Sequence, residues 1–421
     1  MERTMNATTM PQARVGCSSS HHALTRFAAN ALTQNVARSD QSLVLEVARN
    51  GKHGSAATNQ VAPSALAQLA RSAERAANYA PKDSEYLSPP SRQSLDCPGS
   101  YSPCDTWLNP ENRVAIVSRI LSLGKRKGLR VSGVLSMLRE SRGMKTSKGF
   151  EGYQRISEAL CSVSMEGQDG SGWAEQISSF PETLDPIDVA QRAMNICLHA
   201  QRPKEIQPGD YPVILAPEAV ASLFAYWVWQ MDAREADEKR SCFSGRMGQR
   251  IGDVRVHLHS QPLHAEAPGS SFNAEGIPAR DCSWIDRGVL KNLSFSRFWA
   301  RKKGVRRFTF PCNLILDGGD GALEDLLQGV SRGIFITRLW YIRMVEPMSL
   351  TLTGLTRDGT FWVERGKPVK PIRNLRFNDS PLRLLSQIEQ MGAPCRVQAP
   401  LPACFPPLSL KSFRFTSLAT K

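Results

Sequence analysis

The chain has 421 residues, 41% of them hydrophobic, and a formal net charge of +14, so it is long enough to bury a large core and to divide into two or three domains. No run of eighteen apolar residues occurs, and the N-terminal MERTMNATTMPQARVGCSSSHH lacks an apolar h-region; neither a transmembrane helix nor a secretory signal is supported, and a cytoplasmic location is expected. The ten cysteines are scattered singly, with Cys97 and Cys104 the closest pair, which fits reduced thiols better than a disulfide framework or a ribbon-type metal site.

Residues 1–22 are polar and poor in large apolar side chains, which predicts a flexible tail with order beginning near Ala23. Leu43-Val-Leu-Glu-Val47 followed by Arg49-Asn50-Gly51-Lys52 reads as a hairpin with an Asn-Gly turn. Ser64 to Tyr79 has the periodicity of a helix, and the Pro/Ser/Asp/Gly-rich residues 81–103 read as an exposed loop. Asn109-Pro110-Glu111 supplies a helix cap, a first-turn proline and an acid; strand-like pieces broken by Gly143, Gly149 and Gly152 follow, and turns are expected at Gly167, Gly170 and Gly172. A second capped helix begins at Asp185-Pro186, and the break from Pro203 to Gly209 is expected to divide a mixed α/β domain, residues 23–205, from a second domain, residues 208–421.

Beyond the break the pattern is strand-rich. Asp286-Arg287-Gly288, Arg357-Asp358-Gly359 and Glu364-Arg365-Gly366 are expected at turns, Gly333 to Arg343 is rich in β-formers, and Thr360-Phe-Trp-Val363 is expected to face Lys370-Pro371-Ile372. The expected class is α+β, with an N-terminal mixed α/β domain and a C-terminal domain rich in antiparallel sheet.

Pro212 to Gln230, PVILAPEAVASLFAYWVWQ, contains Pro217-Glu218-Ala219-Val220-Ala221-Ser222. By itself it reads as a buried strand leading into a core helix, with Glu218 near the helix's positive end. Together with Leu24-Thr-Arg-Phe27, Asn30 and Gln34-Asn35, Asp169-Gly-Ser-Gly-Trp173, Phe272 to Pro278, Asp317-Gly-Gly-Asp320, Leu323 to Leu326, Thr337 to Arg343 and Leu355 to Pro371, the chain resembles the TldD/PmbA family of metalloproteases and their partners. The resemblance runs from about Leu24 to the C-terminus, and family members usually carry an additional strand and helix before that point. The catalytic branch reads H-E-x-x-x-H where this chain has Pro217 and Ser222 around the surviving Glu218. Neither a proline nor a neutral hydroxyl replaces an imidazole on zinc. A catalytic member would also bring a C-terminal cysteine to the metal, for which Cys395 and Cys404 are the candidates here, although free cysteines are commonly plain core residues.

The resemblance thus implies a PmbA/TldE-like, non-catalytic subunit of a peptide-degrading complex, paired with a TldD-like catalytic partner or a second copy of itself and closing a chamber around unfolded peptide. No cofactor is expected in the chain alone.

Two rival readings come from the residues. Val254-Arg-Val-His257-Leu-His259 places two imidazoles on one face of a strand, with His264 and Glu266 nearby, so an active metallopeptidase using Glu218 with His257 and His259 as unconventional zinc ligands is one alternative. Lys291 to Arg307 carries seven Lys or Arg and no acids around Phe295, Phe298 and Trp299, the mixture a nucleic-acid surface would use. The near-helical spacing of those aromatics favours an amphipathic helix with its cations outward, so a nucleic-acid partner is not expected. Asp317-Gly-Gly-Asp-Gly321 resembles an anion-cradling loop, but the better expectation is Asp320 as the N-cap of the following helix.

Overall fold

A computed structural model describes residues 1–96, 101–305 and 310–419. The first half contains α1 (Glu2–Met5), β1 (Gln12–Ala28), β2 (Ala31–Arg49), β3 (Lys52–Thr58), α2 (Pro63–Tyr79), α3 (Pro110–Lys125), β4 (Arg130–Thr146), β5 (Glu151–Glu166), β6 (Ser171–Ser178) and α4 (Pro186–His199). Its six strands pair antiparallel in the order β3-β2-β1-β4-β5-β6. Alternate residues of β5, from Ala159 through Cys161 and Val163 to Met165, point inward and meet Val189, Ala193 and Cys197 of α4 and Val117 and Ile120 of α3. Period-two and period-3.6 apolar patterns therefore close on one core.

Locally encoded features appear where expected. Asn50 and Gly51 adopt φ of 54° and 76° in the β2–β3 turn, and Asn109 and Asp185 cap α3 and α4 by accepting backbone N–H bonds. Other expectations are corrected. The predicted tail is not one: residues 12–22 lie in β1, hydrogen-bonded to β2 on one side and β4 on the other. The backbone ladder on both sides, rather than burial of its serines and histidines, orders it. Gln34 and Asn35, in the segment resembling an early strand and helix, lie in β2. Gly143 and Gly152 sit inside continuous strands, and only Gly149 marks a turn, with φ of 85°. Within the segment expected as an exposed loop, Cys97 lies outside the described residues, while Pro90 and Ser102 are buried.

The second half contains β7 (Gly209–Leu215), α5 (Pro217–Phe224), α6 (Trp227–Gln230), α7 (Ala233–Asp237), β8 (Leu258–Ser260), β9 (Cys282–Asp286), β10 (Val289–Leu290), α8 (Arg297–Lys303), β11 (Leu314–Leu316), α9 (Leu323–Gln328), β12 (Arg332–Glu346), β13 (Thr351–Glu364), β14 (Lys367–Pro371), β15 (Leu375–Asp379), α10 (Pro381–Leu384), β16 (Ile388–Met391), β17 (Cys395–Val397), β18 (Ala403–Phe405) and β19 (Leu408–Leu418). The pairings β12-β7-β19-β15-β13 return to β12 and close a ring of mostly antiparallel strands. A second sheet runs β10-β9-β8-β11-β18-β17. Arg287-Gly288 and Arg365-Gly366 turn the β9–β10 and β13–β14 hairpins, and Phe361 and Trp362 pair with Pro371 and Lys370. Arg357-Asp358-Gly359 is instead a bulge inside β13, with Asp358 at φ 55° and buried. Asp320 does not cap α9 either: the helix begins at Leu323, and Asp325 accepts the Ala322 N–H at 2.7 Å. Among the described residues no helix is long and apolar enough to cross a membrane.

The glycine-rich Asp169 to Trp173 segment has a packing cause. A Cβ at Gly172 would stand 2.3 Å from the Ala193 O and the Cys197 N of α4, and one at Gly170 would stand 2.2 Å from the Ala200 O. These glycines let α4 lie directly on β6. Gly172→Ala is therefore expected to push the helix outward and lower stability by about 1–3 kcal/mol, read from the urea unfolding midpoint.

Candidate functional site

The degenerate motif opens α5, the helix that follows β7 at the junction of the two halves. Pro217 takes the first helical position, where its fixed φ suits the helix and its missing N–H costs nothing. One turn on, the Ser222 hydroxyl donates to the Glu218 carbonyl at 2.7 Å, so it is engaged by its own helix. Ala219, Val220, Leu223 and Phe224 bury the other side of α5 in the main core.

Pro217 and Glu218 line a cavity of about 470 Å³ whose walls include Trp173 of β6, Arg192 and Asn195 of α4, Phe335 and Thr337 of β12, and Cys395 of β17. Burial pushes the Glu218 carboxyl up from its ordinary value, opposed in part by its own backbone N–H and by Arg192. Cys395 is solvent-exposed as a residue, yet the protein atoms around its thiol, and after them the Glu218 charge, raise it to about 12. Glu175 of β6, two residues beyond the cavity-lining Trp173, is close enough to feel the Glu218 charge. Burial first, and the Glu218 charge second, raise it to about 7, against the lowering influence of Arg338. A Gln398 amide nitrogen, oriented to donate, lies 3.0 Å and 3.3 Å from its two oxygens.

The structure thus brings Cys395 to the degenerate motif and leaves Cys404 elsewhere, buried against Ile315 and Ala267. Sequence reasoning gave the two cysteines equal weight, and no local signal separates them. The residues at the motif do not fit a zinc ion: Pro217 has no donor, the Ser222 hydroxyl is bonded within its helix, and a carboxyl and a protonated thiol remain.

His257 and His259 belong to a different place. Along the second sheet His259, Ile315, Cys404 and Arg396 form one lateral row on one face, whereas Leu258, Leu316 and Phe405 point into the core that also receives α5. The sheet stands between the imidazoles and Glu218. The alternative in which both imidazoles and Glu218 gather around one ion is therefore corrected: the alternation that places the two histidines together also turns them away from α5. His259 lies in β8, which pairs with both β9 and β11, and His257 just precedes it.

The basic segment resolves as the amphipathic α8. Trp299 is buried with its Nε1 donating to Asp237 at 2.8 Å, Phe295 and Phe298 pack on the core, and Arg301, Lys302 and Lys303 are outward. Its aromatics are occupied; Arg306 and Arg307 lie outside the described residues.

Residues 208–417 match the family model described as the PmbA/TldA metallopeptidase C-terminal domain. The chain belongs to the TldD/PmbA family. It is 24% identical over 235 residues to the zinc metalloprotease TldD homolog of Saccharolobus solfataricus, a match covering 50% of each chain, so the chain spans half the length of that relative. It is 20% identical to the metalloprotease PmbA of Escherichia coli O157:H7, over 80% of this chain and 77% of that one. In fold it is similar to TldE from Thermococcus kodakarensis, with a TM-score of 0.87 at 17% identity over 99% of this chain and 98% of that one.

Because Glu175 holds its proton more tightly in the folded chain, at about 7 against an ordinary 4.5, its contribution to stability falls as pH rises between those values. Glu175→Gln is expected to remove that slope. The variant should exceed the parent by roughly 1–3 kcal/mol near about pH 7.5 and converge on it toward about pH 5, in urea unfolding at both.

Proposed function

We propose that this chain is a non-catalytic subunit of a TldD/PmbA-type peptide-degrading complex, shaping the chamber while a family member with an intact H-E-x-x-x-H supplies the metal and its water. The observation that carries this reading is that Pro217 and Ser222 stand on either side of Glu218 in the chain, while Pro217, Glu218 and Cys395 line one cavity. A metallopeptidase needs a polarised water held at an open metal position; this wall has a carboxyl, a thiol and no imidazole. It keeps the shape of a site without the donors. The outer strand β17 borders the cavity through Cys395 and, among the described residues, pairs with β18 alone, leaving an edge that suits main-chain pairing with an extended peptide.

A partner surface is favoured by the far end of the β12–β13 hairpin. Trp229 is 58% exposed, Tyr341 61% and Val345 56%, beside exposed Trp340, Met344 and Met348. Tyr226 ties this end together by stacking edge-on with Trp229 and donating its hydroxyl to the Ile342 carbonyl at 2.6 Å. So many large apolar side chains in the open mark an association surface. The occupant is a catalytic relative or, failing one, a second copy, within a cytoplasmic assembly.

In a complex reconstituted with a catalytic relative, Glu218→Gln in this chain should leave peptide cleavage unchanged, and the chain alone should cleave nothing. A fall of roughly 100-fold or more on that substitution would show Glu218 acting as a general base and overturn the reading. Val345→Asp, which places a charge in the apolar end of β12, should weaken assembly by roughly tenfold or more in sedimentation velocity, without shifting the unfolding midpoint of the isolated chain.

A further inference from the structure

We propose that His257, His259 and Asp317 form a binding site for one divalent first-row transition-metal ion, separate from the degenerate motif and on the opposite face of the second sheet. Among the described residues, these are the three His, Cys, Asp or Glu side chains whose ligating atoms gather within 4.8 Å of one another. His257 Nδ1 lies 2.7 Å from one Asp317 oxygen, and His259 Nε2 lies 3.0 Å from the other.

The placement follows from the strands. His259 of β8 and His257 just before it are two residues apart and point to one side, with their rings stacked at 4.7 Å between centroids and 18° between planes. β11 runs antiparallel beside them with Ile315 opposite His259, so Asp317, whose N–H is bonded to the His257 carbonyl at 3.0 Å, arrives opposite His257. All three groups hang from paired backbone, and this rigidity suits a preorganised site.

A further contact supports the His257 ring. Its Nε2 lies 3.0 Å from the Ser283 hydroxyl on β9, and the Ser283 carbonyl in turn accepts a bond from Asn292 Nδ2 at 2.7 Å. Metal-bound imidazoles characteristically donate their second N–H to such a partner, which fixes the tautomer and aims the other nitrogen at the ion. Here that nitrogen is Nδ1, the one facing Asp317. The side chains are 35%, 18% and 49% exposed, so an ion and completing waters reach them from solvent.

Two imidazoles and one carboxylate are borderline donors that suit Zn(II), Co(II), Ni(II) or Fe(II) over Ca(II) and Mg(II). The same groups also cohere without an ion, as a carboxylate bridging two rings, and the experiment must separate these states. The site lies apart from Glu218, so its failure would leave the subunit reading intact.

The test uses the full chain, stripped with chelator and titrated with Co(II) and then Zn(II), followed by ligand-field absorption and calorimetry. One Co(II) per chain, displaced by Zn(II), is expected, with affinity falling roughly tenfold or more in His259→Ala and Asp317→Asn and by a comparable factor in Ser283→Ala. Absence of saturable binding, unchanged affinity in the first two variants, or loss in Cys395→Ser instead would overturn the assignment. A second measurement needs no variant. Zinc should protect His257 and His259 from diethyl pyrocarbonate while the exposed His22 and His199 remain reactive, and equal modification of all four would refute the site.

Discussion

The junction of the two halves rests on the Arg338–Asp358 ion pair of the closed ring, to which β6 of the N-terminal sheet is fastened. Asp358 sits at the β13 bulge with its side chain 6% exposed, its Oδ2 2.9 Å from Arg338 of the neighbouring β12. Its other oxygen accepts the Ser171 hydroxyl of β6 at 2.7 Å, and the Arg338 guanidinium lies 4.2 Å from the centre of the Trp173 ring. One carboxylate thus joins three strands from two sheets. In a setting this dry, a charge left without its partner is far more costly than the pair is stabilising, so the junction holds in one arrangement. Arg396 of β17 reaches across to Glu158 of β5 at 3.2 Å and makes a second tie along the same seam.

This seam explains which parts of the molecule could be read in advance. The Asn50-Gly51 turn, the Asn109 and Asp185 caps and the inward alternation of β5 each depend on neighbours a few residues away, and each was legible. The order of residues 12–22 was not, because it comes from pairing with β4, more than a hundred residues distant. Asp358 departs from the expected turn for a related reason: Arg-Asp-Gly is good turn chemistry, but in the fold its carboxylate is engaged by the tertiary partners Arg338 and Ser171 at a bulge. At the cavity Pro217 and Ser222 were visible as residue types that bring no imidazole, whereas the arrival of Cys395 was not. For the histidines, the two-residue spacing was a usable signal, but Asp317 stands 58 and 60 residues away with nothing local to mark it.

The second sheet divides the chemistry between its faces. Toward α5 it is a wall of Leu258, Leu316 and Phe405; toward the other side it carries the histidines, Cys404 and Arg396 in lateral register with Ile315. Strand alternation alone separates a carboxyl held above its usual range by burial from the imidazoles that could otherwise have joined it around an ion. Groups that look like one constellation in a linear reading are thereby kept in two environments with different solvent access.

Pro217 carries a consequence for how the cavity wall is maintained. A helix whose opening residue grips an ion owes part of its order to that ion, and stripping the ion loosens the first turn. Here the pyrrolidine ring stiffens the start of α5, and Ser222 is held by the preceding turn of the same helix. The wall stays formed by covalent geometry and packing, indifferent to scavenging agents that would unseat a coordinated neighbour.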